Sequence, residues 1–113
     1  MQDSAQFPNL YPKSIAIIGA SRNPEKIGSQ ILSNIILGKY SGKIFPVNPK
    51  AESIQSLKCY TNLSEIKGNV DVAILVVPAK IVPNIMEECV VKQIKTVVII
   101  SSGFKESGEE GKK

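Results

Sequence analysis

The chain of 113 residues contains no histidine and no tryptophan, and it has only two cysteines and one arginine. The lack of histidine excludes a Ser-His-Asp triad, Cys-His catalysis and a phosphohistidine within these residues. Cys59 and Cys89 have neither CxxC spacing nor histidine neighbours, which excludes the usual zinc sites. We expect Cys89, on the apolar face of a predicted helix, to be a buried reduced thiol, whereas the surroundings of Cys59 stay open.

Long hydrophobic runs are also missing. No apolar stretch approaches the roughly 20 residues needed to cross a bilayer. The first 12 residues lack the basic and apolar regions of a signal peptide. We therefore expect a cytoplasmic protein with no membrane partner.

The net charge of +4 favours a small anionic ligand over nucleic acid. Segment 105–113 holds three charges of each sign, so the positive excess belongs to residues 1–104. The lysines are scattered, and the chain has only three Tyr and three Phe. A nucleic-acid surface would need clustered cations or exposed aromatic rings, so we expect no nucleic-acid partner.

Short continuous apolar runs predict buried parallel strands at 15–18, 44–47, 72–77 and 97–100. Weaker signals indicate a short strand at 57–61 and a helical turn at 63–67. Apolar stripes at helical spacing predict two helices between the strands, the first ending near Gly38 and the second having Pro83 in its first turn. The stripe residues are Ile27, Ile31, Leu32, Ile35 and Ile36 in the first helix, and Ile81, Ile85, Met86, Cys89 and Val90 in the second.

Strands that alternate with helices predict an α/β, Rossmann-like three-layer sandwich with a mostly parallel sheet. One domain is expected over 13–104, after an N-terminal segment at 1–12. Segment 105–113 resembles the first turn of a further helix, with Glu106, Glu109 and Glu110 near its start. Because no apolar stripe follows, we expect this helix to be cut short.

Ligands bind such sheets at the carboxyl ends of the strands, so the loops after the strands are the candidate site. Glycine, proline and serine are ordinary turn residues in any one loop, but four such loops on one edge favour a binding site. The candidate residues are Gly19, Ala20, Ser21, Arg22, Asn23 and Pro24 after the first strand, Asn48, Pro49 and Lys50 after the second, Val77, Pro78 and Ala79, and Ser101, Ser102 and Gly103.

The first of these loops predicts a phosphate site, because a strand leads through Gly19 into a helix whose free amides suit an anion. Lys26 at the helix start conflicts with the helix dipole unless a phosphate neutralises it; a solvated lysine that points away is the alternative. The loop departs from the dinucleotide pattern GxGxxG, since Ser21 and Pro24 replace two glycines.

The end of the second strand predicts which nucleotide binds. The acidic residue that would bind a free ribose hydroxyl is absent, and Asn48 and Lys50 occupy its region. A lysine there would attract a phosphate on the ribose. NADP and coenzyme A both carry such a phosphate, and local chemistry separates them poorly.

Four ordered segments resemble the coenzyme A-binding domain of NDP-forming acyl-CoA ligases, a family that includes ADP-forming acetate–CoA ligase and, more distantly, the alpha subunit of succinyl-CoA synthetase. They are Ser-Ile-Ala-Ile-Ile-Gly-Ala-Ser-Arg-Asn-Pro, Phe-Pro-Val-Asn-Pro-Lys, Val-Asp-Val-Ala-Ile-Leu-Val-Val-Pro-Ala and Ile-Ile-Ser-Ser-Gly-Phe-Lys-Glu. The resemblance covers roughly residues 8–113 and implies that coenzyme A (CoA) is the ligand.

The resemblance also implies a role for each loop. Gly19, Ser21, Arg22 and Asn23 would surround the diphosphate. Lys50 would lie near the ribose phosphate or the adenosine, in a pocket shaped by Asn48 and Pro49. Val77, Pro78 and Ala79 would follow the nucleotide or the pantetheine, and Ser101, Ser102 and Gly103 would line the pantetheine arm.

Ligases of this family pass a phosphoryl group through a histidine in a later domain and bind nucleotide through an ATP-grasp portion. Both are absent from this sequence. We therefore expect the N-terminal fragment of an ADP- or NDP-forming acyl-CoA ligase, which binds CoA while further domains or a subunit supply the catalytic parts. A freestanding CoA-binding protein and an NAD(P)-binding domain of an oxidoreductase or redox-responsive regulator are the alternatives.

Overall fold

A computed structural model describes residues 12–100. Four strands form the main sheet: β1 (Ser14–Ile18), β2 (Lys43–Val47), β5 (Val72–Leu75) and β6 (Thr96–Ile99). All pairings in this sheet are parallel, in the order β2-β1-β5-β6. Helix α1 (Ile27–Leu37) follows β1, and helix α2 (Val82–Val91) follows β5. The predicted parallel α/β fold is confirmed.

The two faces of the sheet carry separate apolar clusters, which makes the fold a three-layer sandwich. Ile15 and Ile17 of β1 pack on the side of α1 with Leu32, whereas Ala16 and Ile18 pack on the side of α2 with Cys89. All five residues of β1 are buried. Because successive strand residues point to opposite faces, a strand covered on both sides must be apolar throughout.

A small antiparallel hairpin connects β2 to β5, with strands β3 (Ser53–Ile54) and β4 (Leu57–Lys58). Gln55 and Ser56 form its two-residue turn with φ angles of 51° and 68°. Two consecutive positive φ angles characterise the tight turn that matches strand twist. The Gln55 amide contacts Ser29 and Ser33 of α1, which fixes the hairpin against that helix.

Several predicted boundaries differ from the structure. Strand β5 ends at Leu75 rather than residue 77, because β1 turns away at Gly19 just beyond the last shared hydrogen bond, from Val76 N to Ile18 O. Strand β6 lies one residue earlier than predicted and, at the edge of the described sheet, it is not buried as predicted, because Val98 and Ile99 are 43% and 42% exposed. The predicted strand at 57–61 reduces to β4 and an isolated bridge from Tyr60 to Val47, and the turn at 63–67 is the short 3₁₀ helix Leu63–Glu65.

The predicted apolar stripes were too wide. Ile27, Ile36 and Val90 are 45%, 37% and 70% exposed. Ile36 and Val90 each follow a residue that packs inward, Ile35 and Cys89. One helical step turns a side chain by about 100°, so these two residues face away from the sheet.

Within the part of the chain that the structure describes, no helix is both long and apolar enough to span a membrane.

Both cysteines are buried and unpaired with one another, with 8% exposure for Cys59 and 1% for Cys89. Burial raises the pKa of both thiols; the positive charge of Arg22 partly opposes the rise at Cys59. The expected buried reduced thiol at Cys89 is therefore found, and Cys59 has a similar environment.

We predict that both thiols react with a disulfide reagent such as DTNB at least about a hundredfold more slowly in the folded protein than in urea. The thiol pKa values are higher in the folded protein, so the thiols of the unfolded chain lose their protons at a lower pH. The two thiols therefore contribute fully to the free energy of unfolding below pH about 8.5, and their contribution declines as the pH rises above it. Reaction of Cys59 at the rate of a free thiol would contradict its burial.

Candidate functional site

The turn between β1 and α1 depends on close backbone contact at two glycines. Gly19 has a φ of 99°, and a Cβ atom there would lie 2.0 Å from the carbonyl oxygen of Val76. A Cβ atom on Gly28 would lie 2.1 Å from the carbonyl oxygen of Gly19. No side chain fits at either position without backbone movement. Glycines of this kind let a helix start pack tightly against a sheet and leave the loop open to a ligand.

Gly19 is one of the predicted site residues, whereas Gly28 was not predicted. Gly28 follows Gly19 by nine residues, so it falls outside the GxGxxG spacing. Its position at the start of a helix, where glycine is a poor helix former, was the available signal.

Helix α1 begins without a capping side chain. Lys26 occupies the N-cap, its side chain makes no capping hydrogen bond, and the first turn holds no acidic residue. The amides of Ser29 and Gln30 bond to the Lys26 carbonyl, but within residues 12–100 the amides of Ile27 and Gly28 have no hydrogen-bond partner. Free amides at the positive end of a helix dipole form a site suited to an anion.

The side chains of Ser21 and Asn23 hold the loop itself. Ser21 Oγ accepts a hydrogen bond from Asn23 N at 3.0 Å, and Asn23 Oδ1 accepts one from Glu25 N at 2.9 Å. These contacts use oxygen acceptors and leave the hydroxyl proton of Ser21 free to donate. Ser21 faces the cleft described below, whereas Asn23 does not line it.

Asn48 joins the first loop to the loop after β2. Its Nδ2 donates to Ala20 O at 2.8 Å, its Oδ1 accepts from Lys50 N at 2.8 Å, and its backbone amide donates to Tyr60 O at 2.8 Å. One amide side chain therefore sets the distance between the two loops.

These loops enclose a cleft of about 650 Å³ between the carboxyl ends of β1 and β5. The chain moves outward in opposite directions from these neighbouring strands, to β2 and to β6. Crevices at such a reversal are the usual ligand sites of open parallel sheets. The predicted residues that line the cleft are Gly19, Ala20, Ser21, Asn48, Pro49, Val77 and Pro78.

Five predicted residues lie outside the cleft lining and three cannot be placed. Arg22, Asn23, Pro24, Lys50 and Ala79 do not line it. Ser101, Ser102 and Gly103 lie outside the described residues. The lining residues that sequence reasoning did not select are Ile18, Glu25, Lys26, Ile27, Gly28, Val47, Thr61, Asn62, Val76, Ile81, Ile85, Glu88 and Ile100.

The cleft has two chemically different parts. Its loop end presents backbone amides and the side chains of Ser21, Glu25 and Lys26, whereas the side of α2 presents Ile81 and Ile85 as an apolar wall, with Glu88 also in the lining. Arg22 and Lys50 are exposed beside the loop end, outside the lining. An elongated ligand with charge at one end and an uncharged arm at the other matches this division.

We predict that Gly28→Ala destabilises the protein by at least about 2 kcal/mol, because its Cβ atom would force the β1–α1 turn away from the helix. Urea unfolding measures the change. Gly38→Ala is the matched control, since its Cβ atom would lie 3.1 Å from Asn34 O and its φ of −74° suits any residue. Its effect should stay below about 1 kcal/mol; equal effects of the two variants would refute the steric account.

Residues 13–110 match the profile of a family described as the CoA binding domain. The chain is 54% identical over 102 residues to an acetate–CoA ligase [ADP-forming] II of Archaeoglobus fulgidus, a match that covers 90% of this chain and 15% of the relative. It is also 54% identical over 106 residues to the alpha subunit of an acetate–CoA ligase [ADP-forming] I of Pyrococcus furiosus, covering 90% of this chain and 23% of that subunit.

Two solved structures also match this chain. A dinucleotide-forming acetyl-coenzyme A synthetase of Ca. Korarchaeum cryptofilum, in complex with phosphate and ADP, superposes with a TM-score of 0.82 at 42% identity. That match covers 98% of this chain and 24% of the synthetase. A conserved hypothetical protein of Pyrococcus furiosus has a TM-score of 0.73 at 34% identity, covering 80% of this chain and 77% of that protein.

Proposed function

The chain belongs to the CoA binding domain family, and on that premise we propose that the cleft between β1 and β5 binds CoA on behalf of an ADP-forming acyl-CoA ligase. The observation that carries the proposal is the β1–α1 turn, where Gly19 and Gly28 bring to the mouth of the cleft two helix amides that have no partner among residues 12–100. Such amides suit the diphosphate of a nucleotide.

The diphosphate would bind at the loop end of the cleft. The amides of Ile27 and Gly28 and the hydroxyl of Ser21 supply donors, and Lys26 supplies the only positive side chain among the lining residues in 12–100. A bound diphosphate would also relieve the unfavourable placement of Lys26 at the positive end of the helix.

The two ends of CoA would then extend in opposite directions. The adenosine and its ribose phosphate would lie toward Asn48, Pro49 and Lys50, where Rossmann-like folds meet the ribose. The pantetheine arm would follow Val77 and Pro78 toward the apolar wall on α2, and continue toward Ser101, Ser102 and Gly103. This orientation leaves the thiol at the end of the cleft farthest from the phosphates.

The chain would contribute binding and positioning to a reaction whose chemical step occurs elsewhere. Formation of an acyl-CoA joins a carboxylic acid to the CoA thiol, and ATP or another nucleoside triphosphate drives it. The resemblance implies that further domains or a subunit supply the phosphohistidine and the ATP-grasp portion. The two curated relatives described above are consistent with this, because this chain spans only 15–23% of their length. A cytoplasmic location would suit such a ligase.

A freestanding CoA-binding protein is the second candidate. The conserved hypothetical protein of Pyrococcus furiosus supports it, since this chain covers 77% of a protein of comparable size. The coding sequence beyond Lys113 distinguishes the two: a continuing frame that encodes a histidine-bearing domain supports the ligase, and a stop codon supports the freestanding protein.

Calorimetric titration tests the ligand class. We predict that CoA binds more tightly than NADPH or NADH, because the cleft provides an apolar path for pantetheine beyond the diphosphate site. Tighter binding of either nicotinamide cofactor would overturn the proposal in favour of the NAD(P)-binding alternative.

Replacing the lysine after β2 tests the orientation of the ligand. Lys50→Ala should weaken CoA about threefold to tenfold and leave dephospho-CoA nearly unchanged, because only CoA carries the ribose phosphate. The loss stays modest because Lys50 is exposed, and water weakens such contacts. Equal losses for the two ligands, measured by calorimetry, would place Lys50 elsewhere along the nucleotide.

A further inference from the structure

Arg22 lies beside the loop after β2 rather than in the phosphate end of the cleft. Its Nε donates to the carbonyl oxygen of Ser53 at 3.0 Å, in the first strand of the hairpin. Its side chain therefore extends from the β1–α1 turn to the segment that follows Lys50. Although its neighbour Ser21 lines the cleft, Arg22 does not.

The contact with Ser53 fixes the guanidinium while using only part of it. Nε is engaged, and within residues 12–100 neither terminal nitrogen of Arg22 has a hydrogen-bond partner. The hairpin that holds Ser53 is itself attached to α1 through Gln55, with contacts to Ser29 O at 3.3 Å and to Ser33 Oγ at 3.2 Å. The guanidinium is thus oriented before any ligand binds.

Hydrogen bonds connect the partner of Arg22 to the ribose end of the cleft. Ser53 follows Glu52, whose carbonyl oxygen accepts from Cys59 N at 2.9 Å, and the Cys59 thiol lies 3.5 Å from Asn48 O. Asn48 lines the cleft and holds the backbone amide of Lys50. Arg22 is therefore bonded to the chain three residues beyond Lys50, close to the strand end where Rossmann-like folds meet the ribose.

From this arrangement we propose that Arg22 is the specificity-determining residue that recognises the ribose phosphate of CoA, with Lys50 as its partner. This rests on the proposed function and replaces the expectation that Arg22 surrounds the diphosphate. The paired N–H donors of a guanidinium match the oxygens of a phosphate monoester. The phosphate monoester on the ribose is the group that distinguishes CoA from dephospho-CoA.

Lys50 alone would give a weaker preference for CoA over dephospho-CoA. Its side chain is exposed, and among residues 12–100 only its backbone amide makes a hydrogen bond. A flexible ammonium loses conformational entropy on binding, whereas the Arg22 fork is already held at Ser53.

The test compares CoA with dephospho-CoA in calorimetric titrations of the wild type, Arg22→Gln and Arg22→Lys. Lys95→Gln is the matched control, since it removes one exposed positive charge beside β6 at the opposite edge of the sheet. We expect Arg22→Gln to lose about tenfold in CoA affinity with less than a twofold change for dephospho-CoA, Arg22→Lys to lose less, and Lys95→Gln to change neither.

Equal losses of affinity for both ligands in Arg22→Gln would overturn the proposal, because Arg22 would then contact the diphosphate or have a purely structural role. An unchanged CoA affinity would also overturn it. A wild type that binds neither ligand would instead refute the proposed function, which keeps the two failures distinct.

Phosphorus NMR of bound CoA gives a second measurement that does not depend on the folding of Arg22→Gln. In the wild type, the ribose phosphate should titrate at a lower pH than in free CoA, because the guanidinium favours its dianion. In Arg22→Lys the shift should shrink. A ribose phosphate that titrates in the complex as it does in solution would contradict the proposal.

The same selectivity would serve NADP, whose ribose also carries a phosphate. Parallel titration of NADPH and NADH with the wild type and Arg22→Gln separates the two sources. CoA as the preferred ligand supports the assignment. A tenfold preference for NADPH that disappears in Arg22→Gln would show that Arg22 recognises the ribose phosphate of a different cofactor. That result would overturn the assignment to CoA.

Discussion

The close approach of the β1–α1 turn to β5 and to its own helix is the constraint on which the site depends. Gly19 leaves no room for a side chain against the Val76 carbonyl, and Gly28 leaves none against Gly19. Because both close approaches involve backbone atoms, rotation of a neighbouring side chain cannot relieve the clash that a larger residue would cause. The turn thereby brings the start of α1 to the end of β1 and leaves its first amides at the cleft.

Short polar contacts then set the positions of the surrounding loops. Asn48 connects the first loop to the second, and Arg22 connects the first loop to the hairpin through Ser53. Asn48 Nδ2 and Arg22 Nε both donate to backbone carbonyls, Ala20 O and Ser53 O, whereas Asn48 Oδ1 accepts from the Lys50 amide. Under the proposed function a phosphate would meet loops that are already positioned, so less conformational entropy would be lost on binding.

Much of the architecture was predictable because it depends on local periodicity. The apolar run of β1 and the stripes around Leu32 and Cys89 identified a buried strand and two helix faces correctly, whereas the apolar run of β6 did not indicate burial, since Val98 and Ile99 are exposed. The hairpin was predicted only as a weak strand, because its turn uses Gln55 and Ser56 where glycine or asparagine is usual. Its geometry is fixed by docking on α1, a contact between residues more than 20 positions apart.

The sequence by itself determined the parallel α/β fold and the family to which the chain belongs, and it predicted the edge of the sheet at which the cleft lies. Only the tertiary structure decided which loop residues line the cleft. Ser21 and Arg22 are neighbours in the chain, yet one faces the cleft and the other reaches Ser53. Periodicity reports which face of an element is buried, whereas the direction of a loop side chain depends on distant partners such as Ser53.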